Sequence, residues 1–373
     1  MTQASYIMIG GFLGAGKTTS IGRFAQFLDA RGVKVGLITN DQGAGLVDSA
    51  LGRSQAFPVE EISGGCFCCR FNSLVDAAHN LSSSNRPDVF LAEPVGSCTD
   101  LVATVSLPLH QIYGEQFKVA PLSVVVDPVR ARRILGLDEG KHFSANVSYI
   151  YLKQLEEAEV IVINKVDLVS EEELSALQKE LESRYEGAKI FKVSARTGEG
   201  LEAWFDWVLE HQMNPARIMD VDYQRYGEGE ALLGWLNATI SVEQPDGREF
   251  DGNDLLRALA VALKYAVLEE GIEVAHLKMT LNPMGDPIEV AAINLVRSDH
   301  SADLSHQLVD PIEAGEILLN MRCEAAPEVL DRLTRAALKA VVKDQFGLDF
   351  NETHREHFRP GQPTPTHRVA NLA

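Results

Sequence analysis

The feature that most constrains this chain is a glycine-rich stretch, GGFLGAGKTT, which follows the apolar run at 6–9. The pattern G-x-x-x-x-G-K-[ST] between a strand and a helix is a P-loop. Its backbone N–H groups face phosphate oxygens, and the helix adds its positive N-terminal end. Lys17 is expected to reach the β- and γ-phosphates, and Thr18 to place its hydroxyl on Mg²⁺. The predicted phosphate-binding residues are Gly11, Gly14, Ala15, Gly16, Lys17, Thr18 and Thr19.

Two acidic residues follow later strands of the predicted sheet. Asp41 comes after the apolar run at 33–39, and Glu93 ends the run at 87–93 and opens an E-x-x-G turn that closes at Gly96. Asp41 is a candidate to hold Mg²⁺ or to orient the attacking water, because such loops lie on the phosphate side of an α/β fold. An Asx turn is the alternative for Asp41. Glu93 would face the magnesium shell, and Gly96 would offer its N–H to the γ-phosphate. Lys17, Asp41 and Glu93 are the candidate catalytic residues.

An N-K-x-D motif, Asn164 to Asp167, follows the β-branched run at 160–163. The Asp167 carboxylate can accept two hydrogen bonds from the ring N–H and the exocyclic amine of guanine, which adenine does not offer. Asn164 is expected to tie the motif to the P-loop, and the stem of Lys165 to lie over the base. Ser194 and Ala195 follow the next predicted strand and form an S-A-x loop that closes over the guanine carbonyl. The predicted nucleotide is GTP with Mg²⁺.

Three thiols crowd into the stretch Gly64-Gly65-Cys66-Phe67-Cys68-Cys69. A loop after two glycines can curl sulfurs around one soft ion such as Zn²⁺, Co²⁺ or Cu⁺. Three ligands leave a fourth position for water, a carboxylate or a donor from a partner. Cys98 is near enough in sequence to be a further ligand, although a lone cysteine also serves as a small buried side chain. A structural or redox role for the thiols is the alternative.

Composition narrows the function classes. Hydrophobic residues make up 45% and charged residues 23% of the 373 positions, which are globular values. A net charge of −19 argues against binding nucleic acid, which needs lysine and arginine to neutralise phosphates. Without an apolar run of membrane-spanning length or a leader pattern, we expect a cytoplasmic protein that does not bind membranes.

The pattern of elements predicts a doubly wound, mostly parallel α/β sheet of P-loop NTPase type and a smaller C-terminal α+β domain of ferredoxin-like form. The expected boundaries are 1–211 for the nucleotide domain, 212–230 for a linker, 231–350 for the second domain and 351–373 for an irregular tail. His354 and His357 lie three apart in that tail and could hold a metal if the segment were helical.

Together these motifs resemble the CobW-like branch of the CobW/HypB/UreG class of P-loop GTPases. The resemblance rests on Cys66, Cys68 and Cys69, which match the G-C-x-C-C of that branch, placed between the Asp41 loop and the Glu93 turn. It implies GTP hydrolysis coupled to delivery of a metal ion, zinc or cobalt, to a client protein that the sequence does not name. Asp41 departs from the branch, which usually has a glutamate there.

The resemblance leaves several functions open. The preferred hypothesis is a GTP-hydrolysing metallochaperone with Mg²⁺ and Zn²⁺ or Co²⁺. The alternatives are a nucleotide-gated metal sensor or scaffold without ion transfer, and a nickel-insertion GTPase of UreG or HypB type. A nucleotide-dependent homodimer is a further expectation, because dimers are common in this class.

Overall fold

The computed structural model describes residues 3–40, 57–215, 218–285 and 289–372. The described residues fall into two compact units. The first contains the described residues up to 229 together with those from 362 onward, and the second contains those of 230–361.

The first unit is built on a parallel sheet. In the described part of the chain its strands lie in the spatial order β3-β2-β4-β1-β6-β7-β8, with β5 beside the beginning of β1. The strands are β1 (Ala4–Gly10), β2 (Val35–Asn40), β3 (Val59–Ile62), β4 (Val89–Glu93), β5 (Phe117–Val119), β6 (Ser123–Val126), β7 (Val160–Ile163) and β8 (Lys189–Lys192). The central strands β6 and β7 are buried along their whole length, as expected of β-branched runs covered on both faces.

Helices connect these strands and cover the sheet. They are α1 (Lys17–Asp29), α2 (Phe71–Asn85), α3 (Leu107–Tyr113), α4 (Pro128–Ile134), α5 (Ala145–Glu157), α6 (Glu171–Arg184), α7 (Leu201–Glu210) and α8 (Tyr223–Leu232). Helices α1 and α7 pack on each other through Phe24 and Phe205, whose stacked rings lie 4.0 Å apart. Helix α6 begins with the predicted capping box of Ser170 and Glu173, which is confirmed.

Because the strands run parallel, their carboxyl ends meet at one edge of the sheet. The P-loop leaves β1 there, Asn40 ends β2 and the cysteine loop follows β3. Glu93 ends β4 at the same edge, and Asn164 directly follows β7. The sequence motifs are therefore gathered at this edge by the topology alone.

The described residues of the second unit form an antiparallel sheet and helices. Its elements are β9 (Leu233–Glu243), α9 (Gly252–Glu269), β10 (Val274–Pro283), β11 (Ala291–Leu295), β12 (Asp303–His306), β13 (Ala314–Glu324), α10 (Pro327–Leu338) and β14 (Asp349–Phe358). Among the described residues the strand order is β12-β11-β10-β13-β9-β14. Without the added hairpin β11–β12, this is the βαββαβ order of a ferredoxin-like sandwich. The predicted fold class, a P-loop α/β sheet with a smaller α+β domain, is confirmed.

The predicted irregular tail at 351–373 is wrong for residues 351–358, which belong to β14 and pair with β9. This strand is polar and charged, a composition common in edge strands, so it carries no apolar alternation to reveal it. His354 and His357 are not on a helix. Successive strand side chains alternate between faces, so positions three apart point to opposite sides and do not form the predicted metal-binding pair. The predicted linker at 212–230 contains most of helix α8.

Candidate functional site

The backbone of the P-loop turns at two glycines, where no side chain would fit. Gly11 and Gly16 have φ angles of 128° and 100°. A Cβ atom on Gly11 would lie 2.2 Å from the carbonyl oxygen of Val125, and one on Gly16 would lie 2.3 Å from the side-chain nitrogen of Asn164. Helix α1 begins immediately after Gly16, which has no side chain to cap the first N–H groups. These N–H groups are thus placed to bind an anion.

Two predicted magnesium-binding residues are brought together across the sheet edge. The Thr18 hydroxyl donates a hydrogen bond to the Glu93 carboxylate at 3.0 Å, although the two residues are 75 positions apart. Glu93 is buried, and so is Lys17, whose ammonium lies 3.4 Å from the carbonyl oxygen of Phe12. A hydroxyl beside a carboxylate is the hard oxygen donor set that Mg²⁺ prefers. Asp41, the third predicted residue, lies outside the described residues.

The E-x-x-G turn after β4 abuts the P-loop. A Cβ atom on Gly96 would lie 2.9 Å from the backbone nitrogen of Leu13, so only glycine allows this approach. The Gln154 side chain donates to the carbonyl oxygens of Gly96 at 2.9 Å and of Cys98 at 2.7 Å. The turn is therefore held between the phosphate-binding loop and helix α5.

The N-K-x-D motif is tied to both neighbouring loops. The Asn164 amide donates to the carbonyl oxygen of Ala15 at 2.9 Å and accepts from the backbone N–H of Ala195 at 2.9 Å. The Lys165 ammonium donates to the carbonyl oxygen of Gly14 at 2.7 Å. Asp167 is exposed beyond it. The structure thus joins the P-loop, the N-K-x-D motif and the S-A-x loop at one edge of the sheet.

Three residues that sequence reasoning missed support these loops. Asp127, at the end of β6, pairs with the Lys165 ammonium at 2.9 Å. Burial raises the pKa of Asp127, but the charges of Lys165 and Arg130 outweigh it and hold the pKa below its usual value.

The buried Arg130 guanidinium donates to the carbonyl oxygen of Leu13 at 2.8 Å. Arg23 donates to the carbonyl oxygen of Ala195 at 3.1 Å. Position after a strand was the only sequence signal for Asp127.

The loop after β3 brings the three predicted thiols together. The Cys66 sulfur lies 2.8 Å from that of Cys68 and 3.2 Å from that of Cys69, and the last two sulfurs are 3.8 Å apart. Gly64 and Gly65 have φ angles of 74° and 153°, which permits the tight curl. Three sulfurs this close match the donor set of a soft metal ion.

The thiols differ in acidity. Hydrogen bonds from Cys68, Cys69 and Cys98 stabilise the Cys66 thiolate and hold its pKa well below the usual value. The contact with Cys66 raises the pKa of Cys68 well above the usual value and that of Cys69 to about 11. Of the three thiols, Cys66 is thus the one that its neighbours most favour as a thiolate, the form that binds metal ions.

Two further contacts of the thiol loop were not expected from the sequence. The Asn40 side chain, at the end of β2, donates to the carbonyl oxygens of Ile62 at 2.9 Å and Gly65 at 2.7 Å. The segment 362–372 covers the loop from the other side. The backbone N–H of Thr364 donates to the Cys69 sulfur at 3.2 Å, and that of Thr366 to the Cys68 carbonyl oxygen at 2.8 Å.

Arg368 anchors this covering segment. Its guanidinium pairs with Asp100 at 2.7 Å, and Asp100 also accepts from the Tyr223 hydroxyl at 2.6 Å. Asp100 is buried and has a φ angle of 66°, unusual for a residue other than glycine.

Within the described residues, no helix has the length and apolar character needed to cross a membrane.

Proteins with a related sequence include two zinc chaperones. The chain is 31% identical over 175 residues to the zinc chaperone YeiR of Escherichia coli, covering 46% of this chain and 49% of that protein. It is 29% identical over 215 residues to the zinc chaperone CobW of Sinorhizobium sp, covering 52% of this chain and 59% of the relative. The chain thus spans about half the length of the curated relatives it matches.

Solved structures give a more distant likeness. HypB from Helicobacter pylori in complex with nickel is 19% identical with a TM-score of 0.43, covering 57% of this chain and 91% of that one. Zn(II)-bound YjiA GTPase from E. coli is 16% identical with a TM-score of 0.40, covering 91% of this chain and 99% of that one.

The family described as CobW/HypB/UreG, nucleotide-binding domain, matches residues 5–192. That range is half of the chain and contains the P-loop, the three clustered thiols, the E-x-x-G turn and the N-K-x-D motif. As its motifs predicted, the chain belongs to the CobW/HypB/UreG family.

Proposed function

We propose that this protein is a GTP-hydrolysing metallochaperone that binds Zn²⁺ or Co²⁺ at Cys66, Cys68 and Cys69 and delivers it to a client protein. The observation that carries the proposal is the shared edge of the sheet. The loops predicted to hold Mg-GTP and the loop that holds the thiols leave neighbouring strands, and Asn40 bonds the end of β2 directly to the thiol loop. The names of the zinc-chaperone relatives support zinc as the cargo.

Residues of the P-loop would bind the phosphates. The backbone N–H groups at the start of α1 and the Lys17 ammonium would hold the β- and γ-phosphate oxygens. Thr18 and Glu93 would hold Mg²⁺, which when bound neutralises charge that develops on the phosphates. Asp41 remains our candidate for orienting the attacking water.

Guanine would lie at the other end of the edge. Asn164 fixes the distance between the P-loop and the S-A-x loop, and the exposed Asp167 carboxylate is left to accept from the base. Loss of the γ-phosphate would release the turn after β4. Because Asn40 and the Glu93 turn flank the thiols, that release would change how the thiols hold their ion.

Base recognition tests the nucleotide half of the proposal. Asp167→Asn replaces an acceptor by an amide that donates toward the base, so GTP affinity should fall by at least tenfold while affinity for xanthosine triphosphate rises. Binding is measured by calorimetry with Mg²⁺ present. Asp206→Asn, on helix α7 in the same unit, is the matched control and should leave both affinities unchanged. Equal GTP binding by wild type and Asp167→Asn would refute the assignment.

Metal titration tests the other half. Reduced, chelator-stripped protein is titrated with Zn²⁺ and Co²⁺ in the presence of GDP or of a non-hydrolysable GTP analogue. A tenfold change in metal affinity, about 1.4 kcal/mol of coupling, is expected and should disappear in Cys66→Ser. Tight binding that ignores the nucleotide would instead indicate a structural or sensory site. Transfer of ⁶⁵Zn to an apo-metalloprotein acceptor then distinguishes delivery from sensing.

A further inference from the structure

A fourth thiol touches the cluster from a different loop. Cys98 lies beyond the Glu93 turn, is 1% exposed, and its thiol hydrogen-bonds to that of Cys66. It is 32 positions from Cys66 in sequence. Cys323, which is also buried, belongs to the second unit. Cys98 is thus placed by the fold beside the Cys66 sulfur.

The backbone around Cys98 is firmly held. Its N–H donates to the carbonyl oxygen of Val95 at 2.9 Å, which closes a turn. Its carbonyl oxygen accepts from Gln154 at 2.7 Å, and the same amide holds the carbonyl oxygen of Gly96. The backbone from which the Cys98 side chain extends is therefore fixed in place.

We propose that Cys98 is the fourth sulfur ligand of the metal ion held by Cys66, Cys68 and Cys69. This inference rests on the proposed metal-binding function. Zn²⁺ in a site of four cysteines is tetrahedral with Zn–S distances of about 2.3 Å, which puts the sulfurs about 3.8 Å apart. The sulfurs of Cys68 and Cys69 already have that spacing at 3.8 Å, and Cys66 must move outward from 2.8 and 3.2 Å.

The position of Cys98 also gives the nucleotide a direct route to the ion. Cys98 lies two residues beyond Gly96, which packs against the backbone of Leu13 in the P-loop. A shift of this turn with the γ-phosphate would bring the fourth sulfur to the ion or withdraw it. Four thiolates close a zinc site, whereas three leave a position open for an acceptor. Withdrawal of Cys98 is therefore a way to make a retained ion transferable.

X-ray absorption of the zinc-loaded, full-length protein counts the sulfur ligands. The wild type is measured with GDP and with the non-hydrolysable GTP analogue, beside Cys98→Ser, Cys98→Ala and the matched control Cys323→Ser. We expect four sulfurs in one nucleotide state of the wild type and of Cys323→Ser, and three in both Cys98 variants. Zinc affinity should fall at least tenfold in the Cys98 variants. Circular dichroism confirms that each variant is folded. Agreement between Cys98→Ser and Cys98→Ala shows that the effect comes from loss of the thiol and not from the residue that replaces it.

Three sulfurs in the wild type in both states would overturn the inference and leave the proposed metallochaperone intact. The inference is also overturned if the Cys98 variants bind zinc more weakly than the wild type but with an unchanged number of sulfur ligands. Cys98 would then only position Cys66. If Cys66→Ser binds zinc as tightly as the wild type, the proposed metal site itself fails, and the inference fails with it.

Discussion

Replacing Asn164 by alanine should cost a large part of the stability of the first unit. The Asn164 side chain makes two hydrogen bonds, to the carbonyl oxygen of Ala15 and from the N–H of Ala195, both at 2.9 Å. Asn164 is 1% exposed, and Ala15 and Ala195 are 2% and 3% exposed. The variant would leave two buried backbone groups without this partner. At about 1–3 kcal/mol for each, the expected loss is about 2–6 kcal/mol, against a typical total of about 5–15 kcal/mol.

The assay is urea unfolding followed by tryptophan fluorescence. Trp204 and Trp207 lie in the first unit, and Trp235 lies in the second. All proteins therefore carry Trp235→Phe, so that the signal reports the first unit. Asn80→Ala, at an exposed position on helix α2, is the matched control and should change the unfolding free energy by about 0.5 kcal/mol or less.

Asn164→Asp separates the two bonds. The aspartate keeps an acceptor for the N–H of Ala195. It replaces the donor to the carbonyl oxygen of Ala15 by an oxygen, and the two oxygens repel each other. Hydrogen exchange at Ala195 should stay slow in Asn164→Asp and become faster in Asn164→Ala. The reasoning is refuted if Asn164→Ala loses no more stability than Asn80→Ala, or if Ala195 exchanges equally in all the variants.

Two further predictions concern buried groups of the first unit. Burial raises the pKa of Glu157 from 4.5 to about 8, so the folded protein keeps a proton that the unfolded chain releases. Stability should therefore fall as pH rises through this window, by up to about 1.4 kcal/mol per pH unit, and Glu157→Gln should flatten urea-unfolding curves measured against pH. Equal slopes would contradict this. Deleting residues 362–373 removes the segment that contacts the Cys69 sulfur and exposes this sulfur to reagent, an effect expected to exceed that of losing the Thr364 N–H, which lowers the Cys69 pKa. Iodoacetamide should then label Cys69 faster, as followed by mass spectrometry, with Cys323 as the unchanged internal control; an unchanged Cys69 rate would contradict the covering role.

Local patterns were enough to predict the central strands of the first unit and the start of helix α6. The runs at 122–127 and 160–163 are apolar and β-branched, and such runs form strands covered on both faces whatever their neighbours. The capping box at Ser170 works through residues three apart, so the sequence shows it directly. Strand β14 was missed because its polar residues carry no apolar alternation, and it is defined by pairing with β9, which is more than 100 positions away.

The candidate site divides in the same way. The three clustered thiols are close in sequence, and four residues cannot carry their sulfurs far apart once two glycines curl the loop. The contacts of Asn40, Arg130 and Asp127 depend on which strands lie side by side. A sequence gives their positions after strands but not their partners, because partners follow from strand order.

The sequence by itself determined which motifs meet at the carboxyl edge of the parallel sheet and that three thiols lie close together, since each motif is contiguous and parallel strands bring their carboxyl ends together. Only the tertiary structure decided what surrounds the thiols. Cys98 reaches Cys66 because the turn after β4 folds beside the loop after β3. Thr364 reaches Cys69 across 295 positions because the chain returns to the first unit after completing the second. Contacts over such separations are selected by the packing of the whole chain, and no local pattern encodes them.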